Sequence, residues 1–321
     1  MRTADGGINH RRRSEPALLT LRARTAGMTG VQGYTRQKKI PGMNETVDHI
    51  LERLNASARQ VPTPCGSGSL VWRTWGEGRP LVLVHGGSGS WQHWVRNIDS
   101  FAAHRQVWCP DTPYYGDSSD PAEPGGMAGI AQAFAQGYVQ LFKGTPVDVI
   151  AFSFGSLVTC ETLAIAPGLI DRLILVGAAS HGLPRHDIGL QPWKSVEEAQ
   201  ARYALHRDNL HRLMLAHPVD DEGAVRLHVR AVEAGRFNSR RLAFSTRVRD
   251  LISTLEMRQL DAIYGEHDPT AGRDLPALLA LFEAQRPGLR FRIIPDAGHW
   301  VPYERPAAFM QAVQAHWPDF I

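Results

Sequence analysis

One serine in this chain stands where a nucleophile would be useful. Ser153 is the centre of the segment Ala-Phe-Ser-Phe-Gly at 151–155, directly after the apolar run Val147–Ala151 and directly before a helical pattern. A small–x–Ser–x–small segment between a strand and a helix predicts a sharp turn that exposes the hydroxyl, because small neighbours let the two backbones nearly touch. Ala151 stands where such segments usually have their first glycine.

A serine hydroxyl needs a base within hydrogen-bond reach and a third group that orients this base. The predicted base is His299, in the loop between the last predicted strand and the final helix. The predicted acid is Asp268, in the loop after the apolar run Gln259–Gly265, and Glu266 in the same loop is its alternative. Because all three loops follow the carboxyl ends of predicted strands, we expect Ser153, Asp268 and His299 to meet at one edge of a sheet.

Chemistry at a carbonyl also needs hydrogen-bond donors for the oxygen that becomes negative. The glycine-rich segment 85–91 follows the apolar run Leu81–His85, and its backbone can approach a reacting group closely. We predict that the N–H of Gly87 is one donor, with Ser88 as the near alternative, and that the N–H of Phe154 is the other.

Residues close to these motifs are candidates for contact with a substrate. They are Ser88, Trp91, Tyr114 and Trp300. Aromatic side chains of this kind line apolar pockets, and core packing explains them equally well.

Short apolar runs alternate with helical patterns along most of the chain. This alternation predicts an α/β fold with a mostly parallel sheet and helices on both faces, formed by residues 43–180 and 251–321. The predicted strands are Ser69–Trp75, Leu81–His85, Val107–Pro110, Val147–Ala151, Arg172–Gly177, Gln259–Gly265 and Phe291–Pro295. The predicted helices are Thr46–Ser57, Trp91–Ala103, Met127–Phe142, Gly155–Ala166, Leu275–Ala284 and Pro306–His316.

Residues 181–250 interrupt this alternation because they show no convincing strand. Their pattern predicts helices over Ser195–Leu205, Leu210–Ala216 and Gly223–Ala234. A helical insertion between two core strands would lie above the carboxyl ends of the sheet, so we predict a cap over the site.

Two sets of side chains in the predicted cap have more than one interpretation. Arg236, Arg240 and Arg241 are either solvated or, if one faces the pocket, selective for a substrate with a carboxylate. The histidines of the cap show no metal-ligand spacing with a carboxylate partner, which favours a solvated helical face. These histidines are His181, His186, His206, His211 and His217.

The composition narrows the class of protein. The chain has 321 residues, of which 43% are hydrophobic and 21% charged, and no apolar run is long enough to span a bilayer. Residues 43–321 hold 26 Lys and Arg against 30 Asp and Glu, which gives no reason to expect nucleic acid as a partner. Three widely spaced cysteines predict free thiols in a reducing compartment, and we expect a cytoplasmic protein without cofactor or metal.

Residues 1–42 differ from the rest of the chain. They hold nine Lys and Arg against two acids and show no sustained periodicity, which predicts a disordered leader. The arginine-rich, acid-poor composition weakly resembles an organelle transit peptide. The interpretation that we favour is an over-extended gene start, with Met28 or Met43 as the first residue.

From about residue 60 to residue 318 the chain resembles the α/β-hydrolase fold. The resemblance rests on five segments in the expected order, which are His85–Gly87, Asp111–Ser118, Ala151–Gly155, Gly265–Asp268 and Gly298–His299. Tyr114 replaces the first glycine of the second segment. The resemblance implies a Ser–His–Asp hydrolase with a helical cap.

These observations predict hydrolysis of a small carboxylic ester through an acyl-enzyme on Ser153. A close alternative is hydrolysis of carbon–carbon bonds in ring-cleavage products of aromatic compounds, because Gly298-His299-Trp300 is similar to the corresponding triplet of such hydrolases. The H-G-G-G-P-G pattern common in those enzymes is missing here. A third possibility is a small-molecule receptor, since one fold hosts several functions. The expected partner is a small molecule, without nucleic acid or membrane.

Overall fold

A computed structural model of the protein describes residues 45–184, 187–217, 221–271 and 274–320. The predicted leader at 1–42 lies outside these ranges. The strands of the described chain are β1 (Arg59–Cys65), β2 (Gly68–Trp75), β3 (Pro80–Val84), β4 (Gln106–Pro110), β5 (Val147–Phe152), β6 (Ile170–Val176), β7 (Gln259–Gly265) and β8 (Arg290–Ile294). Its α-helices are α1 (Val47–Ser57), α2 (Ile98–Ala102), α3 (Gly126–Phe142), α4 (Phe154–Ile165), α5 (Ala199–Met214), α6 (Glu222–Ala234), α7 (Arg247–Ile252), α8 (Leu275–Gln285), α9 (Val301–Glu304) and α10 (Pro306–His316). None of the helices in these ranges is both long and apolar enough to cross a membrane.

The eight strands form one sheet in the order β1-β2-β4-β3-β5-β6-β7-β8. Strand β2 is antiparallel to β1 and β4, and the strands from β4 to β8 are parallel to one another. The predicted mostly parallel sheet is therefore confirmed. The sequence pattern missed β1, which contains Pro62 and Pro64; proline is tolerated there because β1 is an edge strand.

The central strands are apolar on both faces because each face is covered. Val82 and Val84 of β3 point to a core shared with α3, α4, α7 and α8. Leu81 and Leu83, which alternate with them, point to a second core shared with α1, α2 and α10. The cysteines of the described chain are free and buried in these two cores, as predicted.

The segment between β6 and β7 carries helices α5, α6 and α7, and its described residues contain no strand. Helix α5 runs continuously over Ala199–Met214, so the prediction of two helices at 195–205 and 210–216 was wrong. The polar run at 206–209 broke the apolar pattern although the backbone stays helical. Helix α7 packs against α4 and α8, so the predicted boundary of the cap at residue 250 falls inside a helix of the core.

Candidate active site

The turn between β5 and α4 holds Ser153 in a strained backbone conformation. Its φ is 52° and its ψ −116°, a region that non-glycine residues rarely occupy. The Ser153 N–H donates to the Val176 carbonyl at 2.8 Å, which anchors the turn to β6. A Cβ on Gly155 would lie 2.6 Å from the His85 carbonyl oxygen, so the second residue of α4 has to be a glycine. This local geometry presents the hydroxyl at the carboxyl edge of the sheet.

The structure brings Ser153, His299 and Asp268 together from three separate loops. His299 Nε2 lies 2.8 Å from Ser153 Oγ, and His299 Nδ1 lies 2.9 Å from Asp268 Oδ2. His299 and Asp268 are both buried. When the Nδ1–H donates a hydrogen bond to the Asp268 carboxylate, Nε2 carries no proton and can accept the proton of Ser153. The arrangement can therefore generate a nucleophilic alkoxide and store its proton on the imidazole.

Asp268 is held as an anion by its neighbours. Both the N–H and the hydroxyl of Thr270 donate to Asp268 Oδ1 at 2.8 Å. Burial acts to raise the pKa of Asp268, but the His299 charge and these hydrogen bonds outweigh it, so the pKa is lowered. His181 Nε2 in turn lies 2.9 Å from the Thr270 carbonyl. Sequence reasoning missed Thr270, although a threonine two residues after an aspartate is a common turn signal.

Gly177, at the end of β6, is packed directly against the histidine–aspartate pair. Its φ is +53°, and a Cβ there would lie 2.9 Å from His299 Nδ1 and 3.0 Å from Asp268 Oδ2. Any side chain at this position would displace the pair. Sequence reasoning missed this role as well, because the contact joins residues about a hundred positions apart.

Glu266, the alternative acid, is not at His299. Its side chain is 50% exposed and accepts a hydrogen bond from the Asp296 N–H at 3.1 Å. Within the described residues, Glu266, His267 and Asp296 lie close enough together for one metal ion, but all three are exposed and do not line the cavity described below. Asp268, and not Glu266, is therefore the carboxylate beside His299.

The loop after β3 is fixed by His85. Its Nδ1 lies 2.7 Å from the Gly86 carbonyl, and its Nε2 accepts from the Thr112 N–H at 2.8 Å. Burial lowers the pKa of His85 to about 4, so the ring is neutral at neutral pH. His85 is therefore a structural residue.

Gly87 and Phe154, whose N–H groups were predicted to bind the negative oxygen, are neighbours in the structure. A Cβ on Gly87 would come within 3.4 Å of the Phe154 Cβ. Phe154 is the first residue of α4, so its N–H has no partner within the helix. Neither amide donates to another described residue, whereas the amide of the alternative, Ser88, faces the Tyr115 hydroxyl. Gly87 and Phe154 can therefore offer two free N–H groups beside Ser153.

Ser153 opens onto a cavity of about 980 Å³. Its walls come from the core and from the segment between β6 and β7. Aromatic rings on both sides give it an apolar character, namely Phe152 and Phe154 from the core and Trp193, Phe237 and Phe244 from the other side. Ser88 also lines the cavity, as its predicted substrate-binding role requires.

The other three predicted substrate contacts do not line this cavity, which corrects the prediction. Trp91 is buried against Trp75, with ring centroids 5.5 Å apart. Trp300 stacks on Tyr303 at 4.1 Å and donates from its indole to a backbone carbonyl. Tyr114 stacks on Phe237 and reaches the cavity only through it. These three aromatic rings pack against other residues, which was the alternative explanation for them in the sequence.

The cap arginines divide into three cases. Arg236 lines the cavity, but it pairs with Asp120 at 2.8 Å and donates to the Ser118 carbonyl, which ties the segment to the core. Arg240 also lines the cavity; its side chain is exposed, and its guanidinium makes no ion pair or hydrogen bond with the described residues. Arg241 is exposed outside the cavity wall.

The expectation of a solvated histidine face was wrong for two of these histidines. His181 and His206 are fully buried, and the His206 ring packs on Trp193 at 4.8 Å. His211 and His217 are at least partly exposed, and His186 lies outside the described residues. The hydrophilic pattern of α5 did not reveal that His206 is buried, because α6 and Trp193 cover one side of this helix.

Comparison with known proteins places this geometry in a family. Residues 81–312 match the model of the alpha/beta hydrolase family. A 2-hydroxymuconate semialdehyde hydrolase from Pseudomonas sp. strain CF600 is 28% identical over 112 residues, which cover 34% of this chain and 40% of that protein. A pimeloyl-(acyl-carrier protein) methyl ester esterase from Photobacterium profundum is 29% identical over 130 residues, which cover 39% of this chain and 47% of that protein. The matched stretches thus span less than half the length of these relatives.

Among solved structures, an esterase from Rhodococcus sp. ECU1013 has the same fold. It superposes with a TM-score of 0.63 at 20% identity, covering 81% of this chain and 98% of the esterase. At this identity the likeness concerns the fold.

Proposed function

The chain belongs to the alpha/beta hydrolase family, and from this premise we propose that it is a serine hydrolase that cleaves a small carboxylic ester through an acyl-enzyme. The observation that carries the proposal is the hydrogen-bonded series Ser153, His299 and Asp268 at the floor of the cavity. Named relatives that are hydrolases and esterases support the same class of reaction.

In the proposed acylation step, Ser153 Oγ attacks the ester carbonyl while His299 Nε2 takes its proton. Asp268 keeps the imidazole in the required tautomer and stabilises the cation that forms. The N–H groups of Gly87 and Phe154 stabilise the negative oxygen of the tetrahedral intermediate, and one such donor typically contributes about 3 kcal/mol. The imidazolium then returns the proton to the leaving alcohol.

In the deacylation step, water takes the place of the alcohol. His299 removes a proton from the water, which attacks the acyl group on Ser153. The imidazolium then returns this proton to Ser153 Oγ as the bond to the acyl group breaks and the free acid leaves. The size of the cavity, about 980 Å³, and its aromatic walls fit an ester with an apolar body.

A panel of short and aromatic acyl nitrophenyl esters tests this proposal. The wild type should release nitrophenol with saturable kinetics, and Ser153→Ala should lower kcat at least about 10³-fold while unfolding at the same temperature. Ser253→Ala, an exposed serine on the core surface, is the matched control and should keep wild-type rates. Unchanged turnover by Ser153→Ala would overturn the proposal. Tight ligand binding with no turnover of any ester would favour the receptor alternative.

Arg240 favours a second candidate, the hydrolysis of carbon–carbon bonds. An arginine that lines the cavity without a carboxylate partner among the described residues can bind a carboxylate on the substrate. Dienoate products of aromatic ring cleavage carry such a group, and one relative is named as a 2-hydroxymuconate semialdehyde hydrolase.

The two candidates separate by assay of one chromophoric dienoate diketone beside one uncharged nitrophenyl ester. If the dienoate is the better substrate, Arg240→Gln should raise its KM by about tenfold or more, because a charge-assisted hydrogen bond is lost. The uncharged ester should show no comparable change in KM. If the wild-type protein does not hydrolyse the dienoate, hydrolysis of carbon–carbon bonds is excluded as the function.

A further inference from the structure

We propose that His93 and His228 form a hydrogen-bonding subsite in the cavity, which binds a hydroxyl group carried on the apolar body of the substrate. The inference rests on the proposed function, since it concerns recognition of the ester that Ser153 would attack. His93 belongs to the 3-10 helix Trp91–Trp94 of the core and His228 to α6, and both rings line the cavity.

His93 is a hydrogen-bond donor of fixed orientation. Its Nδ1 accepts from the Gly86 N–H at 3.2 Å, so the ring proton lies on Nε2, which has no partner among the described residues. The ring is held by Trp300 at 5.1 Å and Phe152 at 5.5 Å, and a Cβ on Gly89 would lie only 2.2 Å from its Cε1. The free N–H therefore costs little to orient when a ligand binds.

His228 supplies the second polar group, from the opposite side. The residue is 9% exposed, and its ring makes no hydrogen bond with any described residue. His206 packs behind it edge to face, with ring centroids 6.1 Å apart. A buried polar ring without a partner is costly unless a ligand or water supplies one.

The charge state of the two rings selects the ligand. Burial, followed by the charge that His206 would carry, lowers the pKa of His228 to about 3. Burial also lowers the pKa of His93 well below its ordinary value, and charge on His85, His228 or His299 would lower it further. Two neutral imidazoles attract no carboxylate. Because His93 donates and His228 can accept, together they suit a neutral hydroxyl, which accepts one hydrogen bond and donates another.

The test uses methyl 3-phenylpropanoate and its three ring-hydroxylated analogues, with the hydroxyl at position 2, 3 or 4. Binding to the Ser153→Ala variant is measured by calorimetry, so that no turnover interferes. At least one hydroxylated ester should bind about tenfold tighter than the plain ester. Adding His228→Leu should reduce this preference to less than about twofold, and adding His228→Gln should restore part of it, since a carboxamide also forms hydrogen bonds.

His217→Leu is the matched control, because this exposed histidine lies outside the cavity wall, and it should keep the full preference. The proposal is overturned if no hydroxylated ester binds more tightly, or if the preference survives both His228→Leu and His93→Leu. Hydrolysis of the plain ester by the wild type is measured separately. Turnover without a hydroxyl preference removes the subsite alone, whereas a preference without turnover removes only the proposed hydrolysis.

Discussion

Two carboxylates lie buried at opposite edges of the same sheet, Asp148 at the amino edge and Asp268 at the carboxyl edge. Asp148 is paired with three arginines: Arg79 at 2.9 Å, Arg105 at 2.5 Å and Arg172, whose Nε lies 2.9 Å away. Asp268 instead faces one histidine and accepts the remaining hydrogen bonds from Thr270.

The difference suggests a stabilising role for the amino edge of the sheet, around Asp148, and a reactive role for the carboxyl edge, around Asp268. Arginine stays protonated at any working pH, so the charge around Asp148 is fixed and can only hold strands together. An imidazole can take up a proton and give it back, so the charge beside Asp268 can change during a reaction. We therefore expect substitutions at the carboxyl edge to affect turnover and substitutions at the amino edge to affect folding.

Among the substitutions compared here, Asp268→Asn should have the largest effect, and this effect should be on turnover. Because both Thr270 donors would hold the amide oxygen at the Oδ1 position, the amide NH2 group would face Nδ1 and donate to it. His299 would then adopt the wrong tautomer, and kcat should fall about 10⁴-fold. Steady-state kinetics on the best ester of the panel measure it. A fall of less than about tenfold in a folded variant would remove Asp268 from the mechanism.

Asp148→Ala should lower the stability of the protein and leave its turnover unchanged. Removing this carboxylate leaves the buried Arg105 without an ion-pair partner among the described residues and leaves the buried Arg172 paired only with the exposed Asp319. The free energy of unfolding should therefore fall by about 3–5 kcal/mol. Urea denaturation measures the loss, and kcat per folded molecule should stay near the wild-type value. Asp99→Ala removes a carboxylate that is 58% exposed and should cost about 1 kcal/mol or less. Equal effects of the two substitutions would contradict the structural role of Asp148.

A pair of glycines gives a smaller and cleaner comparison. Gly177 at the carboxyl edge has φ +53°, whereas Gly168 before the amino end of β6 has φ +81° and a Cβ there would meet nothing within 4 Å. Both substitutions to alanine should cost about 1 kcal/mol of stability because of the backbone conformation. Only Gly177→Ala should also lower kcat, by about 10–100-fold, since its Cβ would displace the His299–Asp268 pair. Equal kcat values for the two variants would show that the pair tolerates displacement.

A further comparison concerns the pH dependence of folding. His85 at the carboxyl edge has its pKa lowered by burial from 6.5 to about 4. The unfolded chain therefore takes up a proton near pH 6.5 that the folded protein takes up only near pH 4, so this ring makes stability fall as the pH is lowered between these values.

His85→Gln should flatten this part of the stability profile, measured by urea denaturation at a series of pH values. His49→Gln replaces a side chain that is 68% exposed and should leave the slope as in the wild type. An unchanged slope in His85→Gln would mean that the ring is not kept neutral by the fold.

The sequence predicted those parts of the site that depend on local pattern. The turn at Ser153, the loop acid Asp268 and the loop base His299 each follow an apolar run, and such runs are typical of strands in a parallel sheet. The strand Gln259–Gly265 was predicted to the residue.

What the sequence did not predict depends on contacts between distant segments. Gly177 and Thr270 support His299 only because β6 and β7 are neighbours in the sheet. Trp91 and Trp300 were placed at the cavity because aromatic type does not say which way a ring points. Edge strand β1 was not predicted because its prolines are unusual in strands, and its strand conformation follows from its pairing with β2.

Whether His299 and Asp268 make Ser153 reactive can be read from covalent labelling with a fluorophosphonate. Mass spectrometry of the digested protein should find the phosphonyl group on Ser153 in the wild type. Labelling should be much slower in Asp268→Asn and unchanged in Asp148→Asn. A protein that hydrolyses esters while its label sits on another residue, or that labels equally fast without Asp268, would contradict the proposed mechanism.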